Sequence, residues 1–156
     1  MKIKLRNQQT KLRISAPALK RLAQWILNET GLPALHGGEV EVDLLLTDDE
    51  GIQPLNRACF GKDRPTDVIT QAYAAVPGRG GFHGEIVVNA QRAAEEGARR
   101  QGPGPELALY IAHGFDHLAG ATDHTPAQRA RMRRREQAWL KKAAAAGPLR
   151  EGGLAL

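Results

Sequence analysis

The sequence predicts an α+β fold in which one small mixed β-sheet is covered by helices. Two observations support this class. Apolar segments of strand character alternate with helical patterns up to about residue 89, and the sequence after residue 90 is helical in pattern almost throughout. The 156 residues fit a single domain, which we assign to residues 1–150, with a C-terminal tail at 151–156 that we expect to be frayed.

The predicted strands follow from local hydrophobic patterns. A first strand is expected from about Lys2 to Ile14, where apolar and charged residues alternate loosely. A second strand covers Val40–Thr47, which alternates and then becomes continuously apolar. The charged turn around Pro65 leads into a third strand, and a fourth covers His83–Asn89.

The predicted helices begin at capping residues and prolines, because a side-chain oxygen satisfies a free backbone N–H and proline suits the first turn. In the first helix, apolar residues recur at helical spacing and predict a buried stripe. Further helices are expected after the acidic turn at 48–50, at residues 90–100 and from Pro105 onward, and the last runs toward Ala146. The expected starting residues are Ser15 with Pro17, Asp48 or Asp49, Pro105, and Thr125 with Pro126.

Composition narrows the range of functions. Hydrophobic residues make up 42% of the chain, which is enough for a sizeable core. The single cysteine, Cys59, excludes an internal disulfide, fits a reducing cytosol and is expected in the core. No apolar run suggests a signal peptide or a membrane span, so we expect a cytoplasmic protein without membrane association. The net charge of +5 is compatible with a polyanionic partner.

A candidate metal site lies between His113 and His124. His113 and His117 are one helical turn apart, so both imidazoles can reach one ion, as in the H-x-x-x-H half of a zinc site. Gly120 follows where a helix tolerates a left-handed residue, and the chain can then bring Asp123 or His124 to the same ion. Three protein ligands with one open position are typical of a catalytic zinc, and we expect one ion per chain.

The segment resembles the signature of the YbeY family of rRNA-maturation endoribonucleases, H-G-x-L-H-L-x-G-Y-D-H. It departs from the signature at Asp116, which replaces Leu, and at Ala121, which replaces Tyr. Asp123 stands where the third His falls and His124 comes one place later, so either can be the third ligand, and ungapped register favours Asp123. The signature is matched at His113, Gly114, His117, Leu118 and Gly120.

The resemblance extends from about Val40 to Glu136 and implies a sheet of about four strands with a zinc cleft at its edge. The segment Thr66-Asp67-Val68 is similar to a T-D-V box of the family, and the strand with Glu85 is similar to a G-D/E-I-x-I segment. By this resemblance Glu85 is expected near the cleft, where it would bind substrate or move a proton.

The activity implied by the resemblance is that of a single-strand-specific, metal-dependent endoribonuclease in small-subunit rRNA processing. The implied partners are RNA and the small ribosomal subunit or its proteins, with no organic cofactor. The family's Arg before the T-D-V box is replaced here by Phe60. The cation that neutralises a phosphate must then come from Arg57, Lys62 or Arg64, and Arg57 is our catalytic candidate.

The last predicted helix is strongly basic. Between Thr125 and Lys142 there are seven basic residues and one acidic residue, Glu136. Such a local charge suits phosphate contacts, so we expect Arg133, Arg134 and Arg135 to bind RNA, together with Lys62 and Arg64. A solvated basic helix anchored by Met132 and Trp139 is the alternative.

Two other functions are compatible with the sequence. One is a metal-stabilised ribosome-assembly factor that binds RNA or a ribosomal protein without cutting it, which the loss of the family's Arg at Phe60 favours. The other is a zinc hydrolase of peptides or small amides. Gly114 counts against this second function, since the metalloprotease pattern H-E-x-x-H has its general base there.

Overall fold

The computed structural model describes residues 1–73, 81–149 and 153–154, and it confirms the α+β class. Within these residues, four strands form one sheet and six helices pack around it. None of the helices in the described ranges has the length and apolar character needed to cross a membrane. The strands are β1 (Lys2–Asn7), β2 (Val40–Thr47), β3 (Val68–Tyr73) and β4 (Phe82–Asn89), and the helices are α1 (Ala16–Glu29), α2 (Leu32–Leu35), α3 (Asp49–Phe60), α4 (Ala90–Ala98), α5 (Pro103–Leu118) and α6 (Pro126–Ala146).

The sheet is mixed, as predicted, and its strand order is β1-β2-β4-β3. β1, β2 and β4 run parallel, and β3 pairs antiparallel with β4 at one edge. The paired residues Val68↔Val88 and Tyr73↔His83 mark the two ends of the β3–β4 pairing. The T-D-V box therefore lies where β3 begins, beside the carboxyl end of β4.

The two faces of the sheet are covered by different helices. On one face, Val42 and Leu44 of β2 are buried in the main core, to which α1 and α5 contribute. On the opposite face, a smaller cluster joins Ile52 of α3 to Ile69 of β3 and Val87 of β4. Because side chains alternate along a strand, neighbouring residues of β4 point to different helices.

Glycines allow α5 to lie directly on β4. A Cβ atom placed on Gly114 would be 2.7 Å from Cγ2 of Ile86, and one on Gly84 would be 3.0 Å from the methyl groups of Leu118. Real Cβ atoms do not approach another atom as closely as 2.7 Å in a packed core, and a contact of 3.0 Å would require Leu118 to shift. Gly114 is therefore required by the contact between helix and sheet, independently of any chemistry at the neighbouring His113.

We expect Gly114→Ala to lower the free energy of unfolding by about 1–3 kcal/mol, because the added methyl group overpacks the core against Ile86. The gain in helix propensity from Gly to Ala, about 1 kcal/mol, would only partly offset this. Chemical denaturation of both proteins measures the difference. Ile86→Leu moves the branched methyl group away and should recover part of the loss in the double variant. Unchanged stability of Gly114→Ala would contradict the close packing.

The first strand is shorter than predicted. β1 ends at Asn7, whereas the expected strand extended to residue 14. The side chain of Gln9 explains the difference, because its amide donates to the Asn7 side chain and to the carbonyl of Leu12 while its oxygen accepts from the Leu12 N–H. These bonds close a turn that ends the strand.

Two further expectations are modified by the structure. Cys59 was expected in the core but is exposed on α3. In the predicted frayed tail, Leu154 is buried in the main core, and its carbonyl accepts a hydrogen bond of 2.8 Å from the N–H of Ser15. The rest of the residues 151–156, apart from Gly153, lie outside the described part of the chain.

Candidate metal centre

Helix α5 presents His113 and His117 on one side, close to its C-terminal end. Their Nε2 atoms are 3.1 Å apart, and the two rings are nearly perpendicular, at 82°. Both side chains are partly exposed, at 30% and 24%. The predicted pair thus converges on one point that remains open to solvent.

The turn after α5 adds a third group to the pair. Gly120 has a φ of 100°, in the left-handed region, and it reverses the chain at this point. This turn places Oδ2 of Asp123 3.4 Å from Nε2 of His117. The possible ligand atoms of His113, His117 and Asp123 all lie within 4.8 Å of one another. His124 is exposed and is not a member of this group.

The Nδ1 atom of each ring, which points away from the other histidine, lies next to a hydrogen-bond acceptor. Nδ1 of His113 lies 3.0 Å from both carboxylate oxygens of Glu136 on α6, and Nδ1 of His117 lies 3.0 Å from the carbonyl oxygen of Ala121. A carboxylate and a carbonyl only accept hydrogen bonds, so each Nδ1 carries the proton in the neutral ring. The lone pairs of both Nε2 atoms therefore face each other.

This donor set fits a metal cation. Two nitrogen lone pairs at 3.1 Å repel one another, and the Asp123 carboxylate adds negative charge to the same point. A cation between them removes the repulsion. Metal-binding histidines usually donate their second N–H to a carboxylate or a carbonyl, as both do here. The three side chains could thus hold one ion, with a side open for substrate or water.

The environment of His113 also affects its protonation. Burial alone would lower the pKa of His113, but the hydrogen bond to Glu136 and the charge of Glu136 outweigh this effect. Asp67 and Asp123 add to the increase, so the pKa lies above its ordinary value of 6.5. Without an ion, a proton therefore competes for the same nitrogen.

We expect Glu136→Gln to weaken Zn²⁺ binding by about tenfold or more, because the partner of a metal-binding His typically contributes 10–100-fold in affinity. The metal binds deprotonated imidazole, so uptake is lost as pH falls through the raised pKa of His113. Removing the carboxylate lowers that pKa, and uptake should then persist to lower pH. Chelator-competition titrations over a pH series measure both effects.

Glu95→Gln on α4 is the matched control, since Glu95 is exposed and its carboxylate is bonded to Gln91. The control should bind Zn²⁺ like the unaltered protein. If Glu136→Gln showed the same affinity and the same pH profile as this control, Glu136 would have no role in orienting His113.

The structure separates Arg135 from the other two predicted RNA-binding arginines of α6. Nε of Arg135 donates to Oδ1 of Asp116 at 2.8 Å, and Asp116 is buried on α5. Oδ2 of Asp116 has no hydrogen-bond partner among the described residues. Arg135 therefore joins α6 to α5, next to the contact between Glu136 and His113. Arg133 and Arg134, in contrast, are exposed.

The cationic candidates from the turn after α3 are all exposed. Arg57 forms an ion pair with Asp63, with Nη1 and Oδ1 3.2 Å apart, and Lys62 and Arg64 flank that carboxylate in sequence. The structure thus places Arg57 in the last turn of α3, in an exposed ion pair with Asp63 of the following turn.

Glu85 does not join the metal centre, contrary to its expected position at the cleft. Its neighbours Gly84 and Ile86 contact α5, so the side chain of Glu85 points to the opposite face of the sheet. There it accepts a hydrogen bond of 3.1 Å from the hydroxyl of Tyr73. The same face carries a second group of possible ligands, formed by Glu41, Asp43 and His83.

The T-D-V box lies at the start of β3. Asp67 accepts hydrogen bonds from the N–H of Val68 and the hydroxyl of Thr66, and the Thr66 carbonyl accepts from the buried Asn89. These contacts are mainly local. The strand that follows the box contacts α5 beside His113, since a Cβ atom on Gly114 would be 3.4 Å from Cγ2 of Thr70.

Residues 4–144 of the chain match the family model described as Endoribonuclease YbeY. The chain belongs to the YbeY family. The matched residues include the segment in which His113, His117 and Asp123 converge.

Curated relatives named Endoribonuclease YbeY support the assignment to the YbeY family. The protein of Anaeromyxobacter sp. (strain Fw109-5) is 38% identical over 124 residues, covering 78% of this chain and 65% of that protein. The Roseiflexus sp. (strain RS-1) protein is 40% identical over 117 residues, covering 67% and 71%. The Geobacter metallireducens protein is 33% identical over 143 residues, covering 87% and 89%. The chain thus spans slightly less than two thirds of the Anaeromyxobacter protein.

The fold also has a solved counterpart. The solution structure of a protein from Thermotoga maritima covers 92% of this chain and 89% of its own, with a TM-score of 0.59 and 24% identity. At this identity the comparison supports the fold assigned to this YbeY family member.

Glu136 was missed as a site residue by the sequence analysis. It is the one acidic residue in the otherwise basic segment from Thr125 to Lys142, and it is buried, with a relative exposure of 3%. A lone carboxylate in such a helix has to face a cation or a polar partner. The presence of a single acidic residue among basic ones could have marked Glu136 as a site residue. It did not show that the partner is His113 on α5.

Proposed function

We propose that the protein is a metal-dependent endoribonuclease that cuts single-stranded RNA during maturation of the small-subunit rRNA. The observation that carries the proposal is the convergence of His113, His117 and Asp123, with both outward ring nitrogens bound to acceptors. Membership of the YbeY family and the names of its curated relatives support the choice of RNA. The proposal includes action in the cytoplasm, with rRNA and the small subunit or its proteins as partners.

We propose that one zinc ion is held by His113, His117 and Asp123, because zinc accepts both imidazole nitrogen and carboxylate oxygen. When bound, the ion would polarise a phosphoryl oxygen or lower the pKa of a bound water. Glu136 and the Ala121 carbonyl keep the two rings in the tautomer that leaves Nε2 available. The hydrogen bond from Arg135 to the buried Asp116 holds α6 in position for this contact.

A peptidase is disfavoured by packing as well as by sequence. The metalloprotease base would have to occupy position 114, where even a Cβ atom would be 2.7 Å from the Ile86 side chain. A glutamate there could not be accommodated without moving α5 off the sheet. The remaining rival is an RNA-binding assembly factor without nuclease activity, favoured by the exposed Phe60 at the position of the family's Arg.

A single-turnover cleavage assay separates these functions. Zinc-loaded protein is incubated with labelled single-stranded RNA from an rRNA precursor end, with the same RNA in a duplex, and with a panel of peptides. Cleavage of the single strand alone is expected, and chelation should abolish it. RNA cleavage at background level with intact RNA binding would instead indicate the assembly factor. Cleavage of a peptide would indicate the zinc hydrolase of peptides or small amides.

We expect Arg133→Ala with Arg134→Ala to weaken binding of single-stranded RNA and to flatten its salt dependence. Each lost phosphate contact on a single strand reduces the slope of log K against log salt by about 0.7, so the double variant should lose up to about 1.4. Lys20→Ala with Arg21→Ala on α1 removes the same charge from another exposed helix and serves as the control. If the slope of log K against log salt were the same in the α6 variant and the α1 control, α6 would not be part of the RNA-binding surface. Arg135 is left unchanged because it pairs with Asp116.

A further inference from the structure

Phe60 is the last residue of α3, and 58% of its surface is exposed. The packing of α3 does not explain this ring, since the buried side of the helix is formed by Ile52 and Asn56. Leaving a large aromatic side chain in water forgoes the stabilisation that burial would provide. The exposed ring is available to a flat apolar ligand.

The surface around Phe60 is cationic. Arg57, Lys62 and Arg64 are exposed and lie within four residues of it along the chain. The one carboxylate among them, Asp63, is already paired with Arg57. An aromatic ring surrounded by cations is typical of sites for single-stranded nucleic acid, where the ring stacks on a base and the cations contact phosphates.

The turn that follows Phe60 is held against α3. Gly61 has a φ of 68°, and its N–H donates to the Arg57 carbonyl at 2.9 Å. The buried side chain of Asn56 donates to the carbonyl of Arg64 at 2.8 Å. The four side chains of Arg57, Phe60, Lys62 and Arg64, here called the Phe60 platform, are therefore carried on backbone that is ordered before any ligand binds, which reduces the entropic cost of binding.

The Phe60 platform is linked to the metal centre through a short piece of chain. The turn leads directly to Thr66, whose carbonyl accepts a hydrogen bond from Asn89 at the end of β4. The chain then enters β3, where Thr70 lies against Gly114 of α5, next to His113. A strand of RNA contacting both surfaces would run past the start of β3, on the edge of the sheet.

We infer that Phe60 stacks on an unpaired base of an RNA strand while the cations of the Phe60 platform contact its phosphates. This inference rests on the proposed function and deepens it, because only a base outside a duplex can be turned out onto the ring. It assigns the preference for single strands to a residue that stands where the family has an arginine.

The test compares two ligands with the same number of phosphates. Binding of a short labelled oligouridine and of its abasic analogue is measured by anisotropy on the full chain without added metal. Stacking of one base corresponds to an affinity gain of about fivefold to hundredfold, so the unaltered protein should prefer oligouridine by that factor. Phe60→Ala should abolish the preference. Phe60→Trp should keep it and add a fluorescence signal that RNA quenches.

Two controls keep the outcomes distinct. Leu35→Ala removes another apolar side chain, which is 78% exposed on α2, and should leave the preference unchanged. His117→Ala should lose cleavage but keep the preference for oligouridine over the abasic analogue. Failure of the nuclease proposal can therefore be distinguished from failure of the stacking inference. Equal binding of both ligands by the unaltered protein, or an undiminished preference in Phe60→Ala, would overturn the inference and leave Phe60 to a protein partner.

Discussion

Replacement of His117 by Ala should remove the bound metal and reduce RNA cleavage to background. His117 is the central group of the site, since its Nε2 lies 3.1 Å from Nε2 of His113 and 3.4 Å from the carboxylate of Asp123. Without it, only two protein ligands remain. Because losing even an outer partner of a ligand costs 10–100-fold in affinity, we expect a loss of at least about 100-fold for the ligand itself.

The metal-free form of His117→Ala provides a second readout. At a pH where both rings are neutral, removing the His117 ring loses the hydrogen bond to Ala121 but also ends the repulsion between the facing Nε2 lone pairs. These effects oppose each other, so the stability of the metal-free variant should stay within about 1 kcal/mol of the unaltered protein. Elemental analysis after dialysis, the cleavage assay and denaturation together separate loss of a ligand from loss of the fold.

His36→Ala is the matched control for His117→Ala, because it makes the same replacement at the end of α2, where His36 packs against Phe82. It should retain both metal and cleavage. Unchanged zinc in His117→Ala would refute the metal centre.

Asp123→Ala and His124→Ala should differ sharply in metal retention. The structure places the Asp123 carboxylate within reach of both histidines, while His124 is exposed outside the group. Asp123→Ala should therefore lose zinc by at least about tenfold in affinity, comparable to or beyond the loss of an outer partner. Chelator-competition titrations measure each variant.

Asp123→His sharpens this comparison, since zinc accepts an imidazole nitrogen in place of a carboxylate oxygen. It should recover most of the affinity lost in Asp123→Ala. Retention of zinc to the same degree in Asp123→Ala and His124→Ala would mean that neither residue is a ligand.

The histidine pair could be predicted because its geometry is local. Two residues four apart on a helix lie on one side of it in any fold, and the glycine at position 120 marks the end of that helix. The starts of α1 and α6 were predictable for the same reason. Ser15 and Thr125 accept hydrogen bonds from backbone N–H groups three residues later, and the following prolines fit the first turn.

The position of Glu85 could not be predicted in the same way. Alternation along β4 shows that Glu85 and Ile86 point to opposite faces, but it does not show which face α5 covers. That choice depends on the contact of Gly114 with Ile86. The resemblance to the family indicated the right strand and left the side of the sheet undecided.

The sequence by itself determined the α+β class, the caps of the helices, the paired imidazoles and the family, because each of these depends on residues close together in the chain. Only the tertiary structure placed Asp123, rather than His124, beside the two histidines. It also joined Glu136 to His113 across 23 residues and paired Arg135 with Asp116. Those contacts join different elements, and their distances follow from how α5, α6 and the turn between them pack on the sheet.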